Sequence, residues 1–329
     1  MKNKITLRGI RDGAMMTALT VIFMLLSLYV PLFSYVGMFL SGIPLAALYA
    51  RDGLATSVCA AVCSVLIMFV ITGEFISAFS LAVAFAVPGL VAGICLKKRY
   101  NFFYSIVFTG ASFLVGLILE LLLIKLFMGG IDNMLTEFLS GAQDALEETL
   151  SVMTDKNAGV DISQATKTLM DTIVYTAKLY FPAILIVSSL FSAYLMYSFA
   201  GLILKKLKLC KAEIVPFYML RAPRSMSTAA VVLYIISFFL KPDSVISAAF
   251  YNIIFVIYTF IGFCGFSFVD YKFKSVIKKG FIRALVYTLI LLFGGVFLSM
   301  IINVFIILGI LDSSMNFRRI SAIDEESKS

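Results

Sequence analysis

Long apolar runs constrain this sequence more than any other feature. The runs are roughly 17–28 residues long, enough for a helix to cross the ~30 Å hydrocarbon core of a bilayer. Hydrophobic residues make up 61% of the chain and charged residues 14%, a balance outside the usual range for soluble domains. The runs lack the alternation typical of barrel strands. We therefore predict an all-α fold, a polytopic transmembrane helical bundle.

Polar and basic residues separate the runs into about nine predicted spans. The last run is long and contains Gly294 and Gly295 in its middle, so eight or ten crossings remain open. The predicted spans are 14–34, 36–50, 53–72, 75–96, 102–128, 173–204, 226–240, 244–269 and 284–311. They divide the chain into a six-span membrane domain (1–208), a basic loop (209–225), a three-span region (226–311) and a polar tail (312–329).

The distribution of Lys and Arg predicts the orientation of the chain. A cytoplasmic N-terminus places the basic residues of 2–11, 97–99, 205–224 and 272–283 on the cytoplasmic side, as the positive-inside rule requires. Arg318 and Arg319 are the exception, because they lie outside if the last run crosses once. We expect a multi-pass protein of the bacterial cytoplasmic membrane, in contact with the lipid bilayer.

Residues 129–172 form the one long hydrophilic segment, and it is acidic. This charge predicts an extracytoplasmic insert. Apolar residues recur at helical spacing from Met134 to Met153, which indicates an amphipathic helix. A second predicted helix follows a break at Asn157-Ala158-Gly159 and leads into the sixth span. The insert is either a cap on the bundle or membrane surface, or a gating lid over a binding site.

The sequence contains no phosphate-binding loop, no His-Glu-x-x-His motif and no Gly-x-Ser-x-Gly motif. It also contains no histidine. We therefore predict that the protein is not an enzyme, binds no metal or cofactor, and has no nucleic acid as a partner. Any active transport would need separate ATPase subunits.

Three ionisable residues are candidate ligand contacts. Glu120 lies within the fifth span, roughly 7 Å from its midpoint toward the outer side, where a charge is costly unless it has a function. Lys125 lies nearer the same surface, and Glu74 lies in a turn on that side. The alternative for Glu120 is a structural hydrogen bond to a neighbouring helix.

Small residues mark predicted helix contacts. Gly89 and Gly93 would let another backbone approach the fourth span, and Ala14 and Ala18 form a flat strip on the first. Such strips serve internal packing or the docking of a partner. Asn252 and Asn303 are predicted to hydrogen-bond between helices.

The first part of the chain resembles the S components of energy-coupling factor transporters. The resemblance rests on the segment Asp12–Leu19 at the start of the first span, on Pro44 in a short second span, and on Arg51-Asp52-Gly53 at its end. It implies six helices with both ends inside, and an Ala14/Ala18 strip that docks onto a membrane coupling subunit. It also implies a solute site on the outer side among spans four to six, where Glu120 lies.

Over its full length the chain resembles the YybS-like family of uncharacterised bacterial membrane proteins. The residues concerned are Tyr251-Asn252, Gly262 and Gly265, and the closing segments 308–312 and 316–319. Two functions follow as hypotheses. The first is transport-associated binding of a small solute, energised by a coupling subunit and ATPases. The second is a non-transporting scaffold for proteins of an envelope or morphogenetic complex.

Overall fold

Every regular element in the described residues is helical. The computed structural model describes residues 7–73, 78–80, 82–127, 162–211, 214–240, 245–294 and 298–318. The helices are α1 (Leu7–Tyr29), α2 (Ser34–Asp52), α3 (Leu54–Thr72), α4 (Val87–Lys98), α5 (Phe102–Phe127), α6 (Ile162–Lys206), α7 (Arg224–Ser237), α8 (Val245–Val276), α9 (Gly280–Gly294) and α10 (Leu298–Met315). A π-helical turn, Ala82–Ala86, precedes α4, and 3-10 turns occupy Pro31–Phe33 and Phe217–Met219.

Five of the described helices are long and apolar enough to cross a membrane. They are Leu7–Tyr29, Leu54–Thr72, Phe102–Phe127, and the segments Thr172–Lys206 and Ile246–Val276 of α6 and α8. Shorter apolar helices accompany them in the C-terminal part of the chain. The structure thus supports a multi-pass helical membrane protein, whereas the figure of nine crossings stays a prediction.

The chain folds as two compact units. Unit 1 comprises Met1–Lys178 and Ser188–Ile214, and unit 2 comprises Leu179–Val187 and Val215–Ser329. The sequence prediction placed a boundary near residue 208, close to the end of unit 1. It did not foresee that a segment of α6, Leu179–Val187, packs with unit 2.

Helix α2 is the central helix of unit 1. Its side chains contribute to two buried clusters: Ile43 and Ala47 pack with α4 and α6 in one, and Leu45 and Leu48 pack with α1 and α3 in the other. Residues 41–48 are all buried. A helix that is apolar on all sides is stable only when neighbours surround it, and this explains how the short second span is accommodated.

Glycine permits the close contact between α2 and α4. A Cβ atom at Gly89 would meet the backbone of Gly42, with the Gly42 Cα only 2.5 Å away. At Gly93 the nearest backbone atom, Ala46 Cα, would be 2.7 Å away. The two helix backbones therefore approach more closely than any side chain would allow, in the manner of small-xxx-small contacts in membranes.

Helix α6 is about 68 Å long at 1.5 Å per residue, well beyond the thickness of a bilayer core. Its first turns, from Ile162 onward, coincide with the second helix that was predicted for the insert. The predicted amphipathic helix between Met134 and Met153 lies outside the described residues, so the choice between cap and lid stays open.

Unit 2 is built around α8 and α10, which pack through small residues. A Cβ at Gly265 would meet the carbonyl group of Phe305 and lie 2.9 Å from the Gly309 nitrogen. Aromatic side chains fill the remaining space, with Phe266 against Phe305 at 5.2 Å and against Tyr287 at 4.8 Å between ring centroids.

The last predicted span forms two helices, α9 and α10, and not one. Arg283 near the start of α9 pairs with Asp270 in α8 at 2.7 Å, and Arg318 after α10 binds Ser267 in α8 at 2.9 Å. Because α9 starts and α10 ends at the same end of unit 2, Arg318 lies at the same end as Arg283. Within unit 2 Arg318 is therefore no exception to the positive-inside rule, and the orientation of the chain stays a prediction.

The first residues of the predicted polar tail pack against unit 2. Asp312 and Arg318 were assigned to this tail, yet their side chains are 2% and 0% exposed and form an ion pair at 3.0 Å. A charged residue that follows an apolar run resembles a solvated flank in the sequence. Here the pair is enclosed by α8 and the Phe217–Met219 turn instead.

Candidate functional site

The candidate site in unit 1 lies where α5 meets the π-helical turn. A Cβ at Gly116 would be 3.1 Å from the Val83 carbonyl oxygen and 3.5 Å from the Ala84 Cα, so the two backbones are close. Glu120 is four residues further along α5 and shares this face. π-Helical turns are rare and occur frequently at functional sites. The arrangement places a carboxylate one helical turn from a non-standard backbone segment.

Glu120 is half-buried, and no described residue lies within ion-pair distance of it. Lys125 is exposed near the end of α5 and does not pair with Glu120. Glu74 lies outside the described residues. Glu120 and Lys125 therefore form no ion pair with each other, and the grouping of both with Glu74 stays a prediction.

The two small-residue strips have different surroundings. Gly89 and Gly93 are buried against α2, as described above, and are not available to a partner. Ala14 and Ala18 lie on an exposed face of α1 together with Met15 and Leu19. Of the two strips, only that of α1 leaves a surface on which a partner helix could dock.

An ion pair near the start of α1 was not predicted. Asp12 is 3% exposed, and its carboxylate lies 2.8 Å from the Arg51 guanidinium at the end of α2. Lys97, at the end of α4, donates a hydrogen bond to the Tyr49 carbonyl at 3.1 Å. These contacts gather the basic ends of α1, α2 and α4 at one end of unit 1. The motifs Asp12-Gly13 and Arg51-Asp52-Gly53 contain the two charged partners, and they are the sequence features that could have indicated this ion pair.

A second polar feature lies in unit 2, where Asn252 contacts α6 beside Pro182. The Asn252 amide donates to the Leu179 carbonyl at 2.8 Å and accepts from the Ala183 N–H at 3.0 Å. Residues 179 and 183 are hydrogen-bond partners in a regular α-helix. Asn252 therefore bridges both groups next to a proline, which itself has no N–H to donate. The predicted interhelical role of Asn252 is confirmed, and that of Asn303 stays a prediction.

A cavity of about 230 Å³ lies beside this bridge in unit 2. Its lining residues are Pro182, Ala183, Ile186, Asn252, Ile253, Val256 and Ile257. The amide of Asn252 already has partners, so the cavity is apolar in character. Its position and lining differ from the polar cavity around Glu120 that the transport hypothesis predicts.

Comparison with known families identifies the family of this chain. The family model described as a predicted membrane protein, DUF2232, matches residues 18–313. The chain belongs to the DUF2232 family. No curated protein and no solved structure matches the chain significantly. The match covers both units of this DUF2232 protein.

In this DUF2232 protein Arg318 makes several polar contacts at once. Its guanidinium donates to the Tyr218 carbonyl at 2.8 Å, to Ser267 Oγ at 2.9 Å and to the Cys264 carbonyl at 3.0 Å, in addition to pairing with Asp312. Arg221 reaches the Ser313 carbonyl at 2.9 Å. The network holds α8, the C-terminal end of α10 and the 217–221 segment together, which is a structural role.

We predict that Asn252→Leu destabilises unit 2 of the DUF2232 protein by about 1–2 kcal/mol, because the α6 groups beside Pro182 lose their bridge. The reaction rate of the buried Cys264 with a thiol reagent, in a variant without the other cysteines, reports this change. Thr259→Val is the matched control, since the Thr259 hydroxyl donates within its own helix, to the Phe255 carbonyl. Equal Cys264 reactivity in both variants would contradict the bridge.

Proposed function

We propose that this protein is the solute-binding component of a membrane transport system, with Glu120 as its polar contact. The observation that carries the proposal is the half-buried Glu120 in α5, without an ion-pair partner among the described residues and one turn from the π-helical segment. A carboxylate within a membrane span is costly and is rarely retained without a role. The proposal agrees with the resemblance to S components in the first part of the chain.

The chemistry of the site restricts the class of solute. Glu120 supplies a carboxylate, and Val83 supplies a backbone carbonyl oxygen near the same face of α5. Both groups accept hydrogen bonds and attract positive charge. We therefore propose a small solute with an amino group, or a monovalent cation, as the ligand. Energy would come from separate ATPase subunits that dock through a coupling protein, since this chain has no nucleotide-binding motif.

Glu120→Gln is the test of this proposal, because it keeps the shape of the side chain and removes its charge. Loss of a charged hydrogen bond should weaken ligand binding about tenfold to a hundredfold. Binding is measured as the rise in melting temperature of the purified protein with Na⁺, K⁺ or a panel of small amines. Glu325→Gln, the same chemical change in the polar tail (312–329), is the control. If every probe stabilises both variants and the unchanged protein equally, Glu120 is not a binding residue.

A scaffold role is the second candidate, and the exposed Ala14/Ala18 face favours it. The face is flat, lies on a membrane-spanning helix and has no described neighbour covering it. Ala14→Leu with Ala18→Leu would block close approach of a partner helix there. Affinity purification from membranes before and after this change separates the two functions. Loss of a coupling subunit and ATPases supports transport, whereas loss of envelope or cell-wall synthesis proteins supports scaffolding.

A further inference from the structure

Two helix ends that lie more than 100 residues apart in sequence meet at one end of unit 1. Leu96 in α4 and Leu204 in α6 belong to the same buried cluster, and a Cβ at Gly201 would lie 3.3 Å from the Leu96 side chain. Each leucine is followed directly by lysines. The basic residues at the two helix ends are therefore neighbours. We define the basic patch as Lys97, Lys98, Arg99, Lys205, Lys206, Lys208 and Lys211, all of them exposed.

The positive charge of the basic patch exceeds what the helix ends require. A helix C-terminus carries roughly −0.5 charge, so two of them balance about one of the seven cations. None of the seven forms an ion pair with a residue that the structure describes. Lys97 is held in place by the Tyr49 carbonyl and the Tyr49 ring. The patch therefore presents a large positive charge that no ion pair with a described residue compensates.

Two residues of the basic patch have an unusual backbone conformation. Arg99 and Lys208 follow the ends of their helices with φ of 54° and 59°, in the left-handed region that favours glycine. In each case the next residue closes the helix end: Tyr100 N–H bonds to the Cys95 carbonyl and Leu209 N–H to the Leu204 carbonyl. A long basic side chain therefore stands at two positions where glycine would be less strained, which suggests that the charge itself has a use.

Apolar side chains surround the charges and indicate the kind of partner. Leu202 and Leu207 are 53% and 54% exposed next to the lysines of α6, and Tyr100 is 41% exposed beside Arg99. Tyrosine and lysine at the end of an apolar helix are typical of the membrane–water interface. A soluble nucleic acid or acidic protein would not match this mixture, whereas a headgroup with its adjoining acyl chains would.

We propose that the basic patch is a binding site for anionic glycerophospholipids, with the phosphate held between the ends of α4 and α6. Arg99 supplies a planar donor that suits phosphate oxygens, and Lys208 supplies a second cation from beyond the end of α6. The side chains of Leu202, Leu207 and Tyr100 contact the part of the acyl chains that lies next to the headgroup. This proposal does not depend on the solute site at Glu120.

The test uses the full chain in neutral detergent, with phosphatidylglycerol or phosphatidylcholine added. Phosphatidylglycerol should raise the melting temperature by several degrees, phosphatidylcholine should not, and about 0.5 M salt should reduce the effect. The double variant Arg99→Gly, Lys208→Gly should lose most of the shift. Because glycine suits both backbone conformations, its melting temperature without lipid should equal or exceed that of the unchanged protein.

Lys278→Gln with Lys279→Gln is the matched control, because it removes two exposed charges from unit 2. This variant should keep the full phosphatidylglycerol shift. Three results would each overturn the proposal: an equal shift with phosphatidylcholine, an equal loss in both double variants, or the same stabilisation by inorganic phosphate alone.

Discussion

Arg318→Met should destabilise unit 2 by about 3–5 kcal/mol, the largest effect expected for a single side chain in this protein. The substitution leaves Asp312 as a buried charge without its partner, and it removes three hydrogen bonds to Tyr218, Ser267 and Cys264. Cys264 is buried beside the guanidinium, so its reaction with a thiol reagent measures local opening directly. A variant with Cys264 as its only cysteine should react far faster once Arg318 is replaced.

Two controls separate the ion pair from a general loss of packing. Lys279→Met removes an exposed charge from the same unit and should leave the reactivity of Cys264 nearly unchanged. The double change Arg318→Met with Asp312→Asn should cost less than the sum of its parts, because neither residue then remains as an unpaired charge. Strict additivity of the two changes would mean that the pair is not coupled.

Gly89→Ala should destabilise unit 1 by about 3 kcal/mol or more. The added methyl group would occupy the space of the Gly42 backbone, with the Gly42 Cα at 2.5 Å, and a backbone cannot change rotamer to make room. Helices α2 and α4 would have to separate, and the buried cluster that includes Ala46, Ala92 and Cys95 would open. The reactivity of Cys95 as a single cysteine measures this separation.

Gly13→Ala provides the matched control for that prediction. Its added methyl group would lie 3.4 Å from the Thr56 side chain, an ordinary van der Waals contact. Alanine is also favoured over glycine inside a helix by about 1 kcal/mol. Gly13→Ala should therefore be neutral or stabilising. If Gly89→Ala behaved in the same way, the contact between α2 and α4 would not depend on glycine.

Several parts of the fold followed from local sequence. The apolar runs predicted α1 to α8 to within a few residues for most helix ends, because run length and polar punctuation report directly on helices in a bilayer. The interhelical role of Asn252 was also predicted from its position in an apolar run. The pair Gly294 and Gly295 already indicated that the last run need not be one helix, and α9 ends at Gly294.

Other features could not be read from local sequence because they join residues that lie far apart in the chain. The partner of Asp12 is Arg51, the groups that Asn252 binds lie beside Pro182 in α6, and Arg318 reaches Cys264. Asp12 and Arg318 each lie near the end of an apolar run, where a charge usually indicates only a solvated flank. The left-handed conformations of Arg99 and Lys208 carry no sequence signal either, since the residue that favours them, glycine, is absent.

The amino-acid sequence by itself determined that this is a membrane protein and that its fold is helical. Hydrophobic runs of bilayer length with basic ends are stable as helices in lipid, and this property is local to each run. Only the tertiary structure decided which helix is central, which glycines are buried, and which charges meet. Those outcomes depend on close packing and on pairing across the bundle, where distances of a few tenths of an ångström separate a contact from a clash. The long apolar runs thus define the element lengths, and the contacts at Gly42, Pro182 and Arg318 define how the elements fit together.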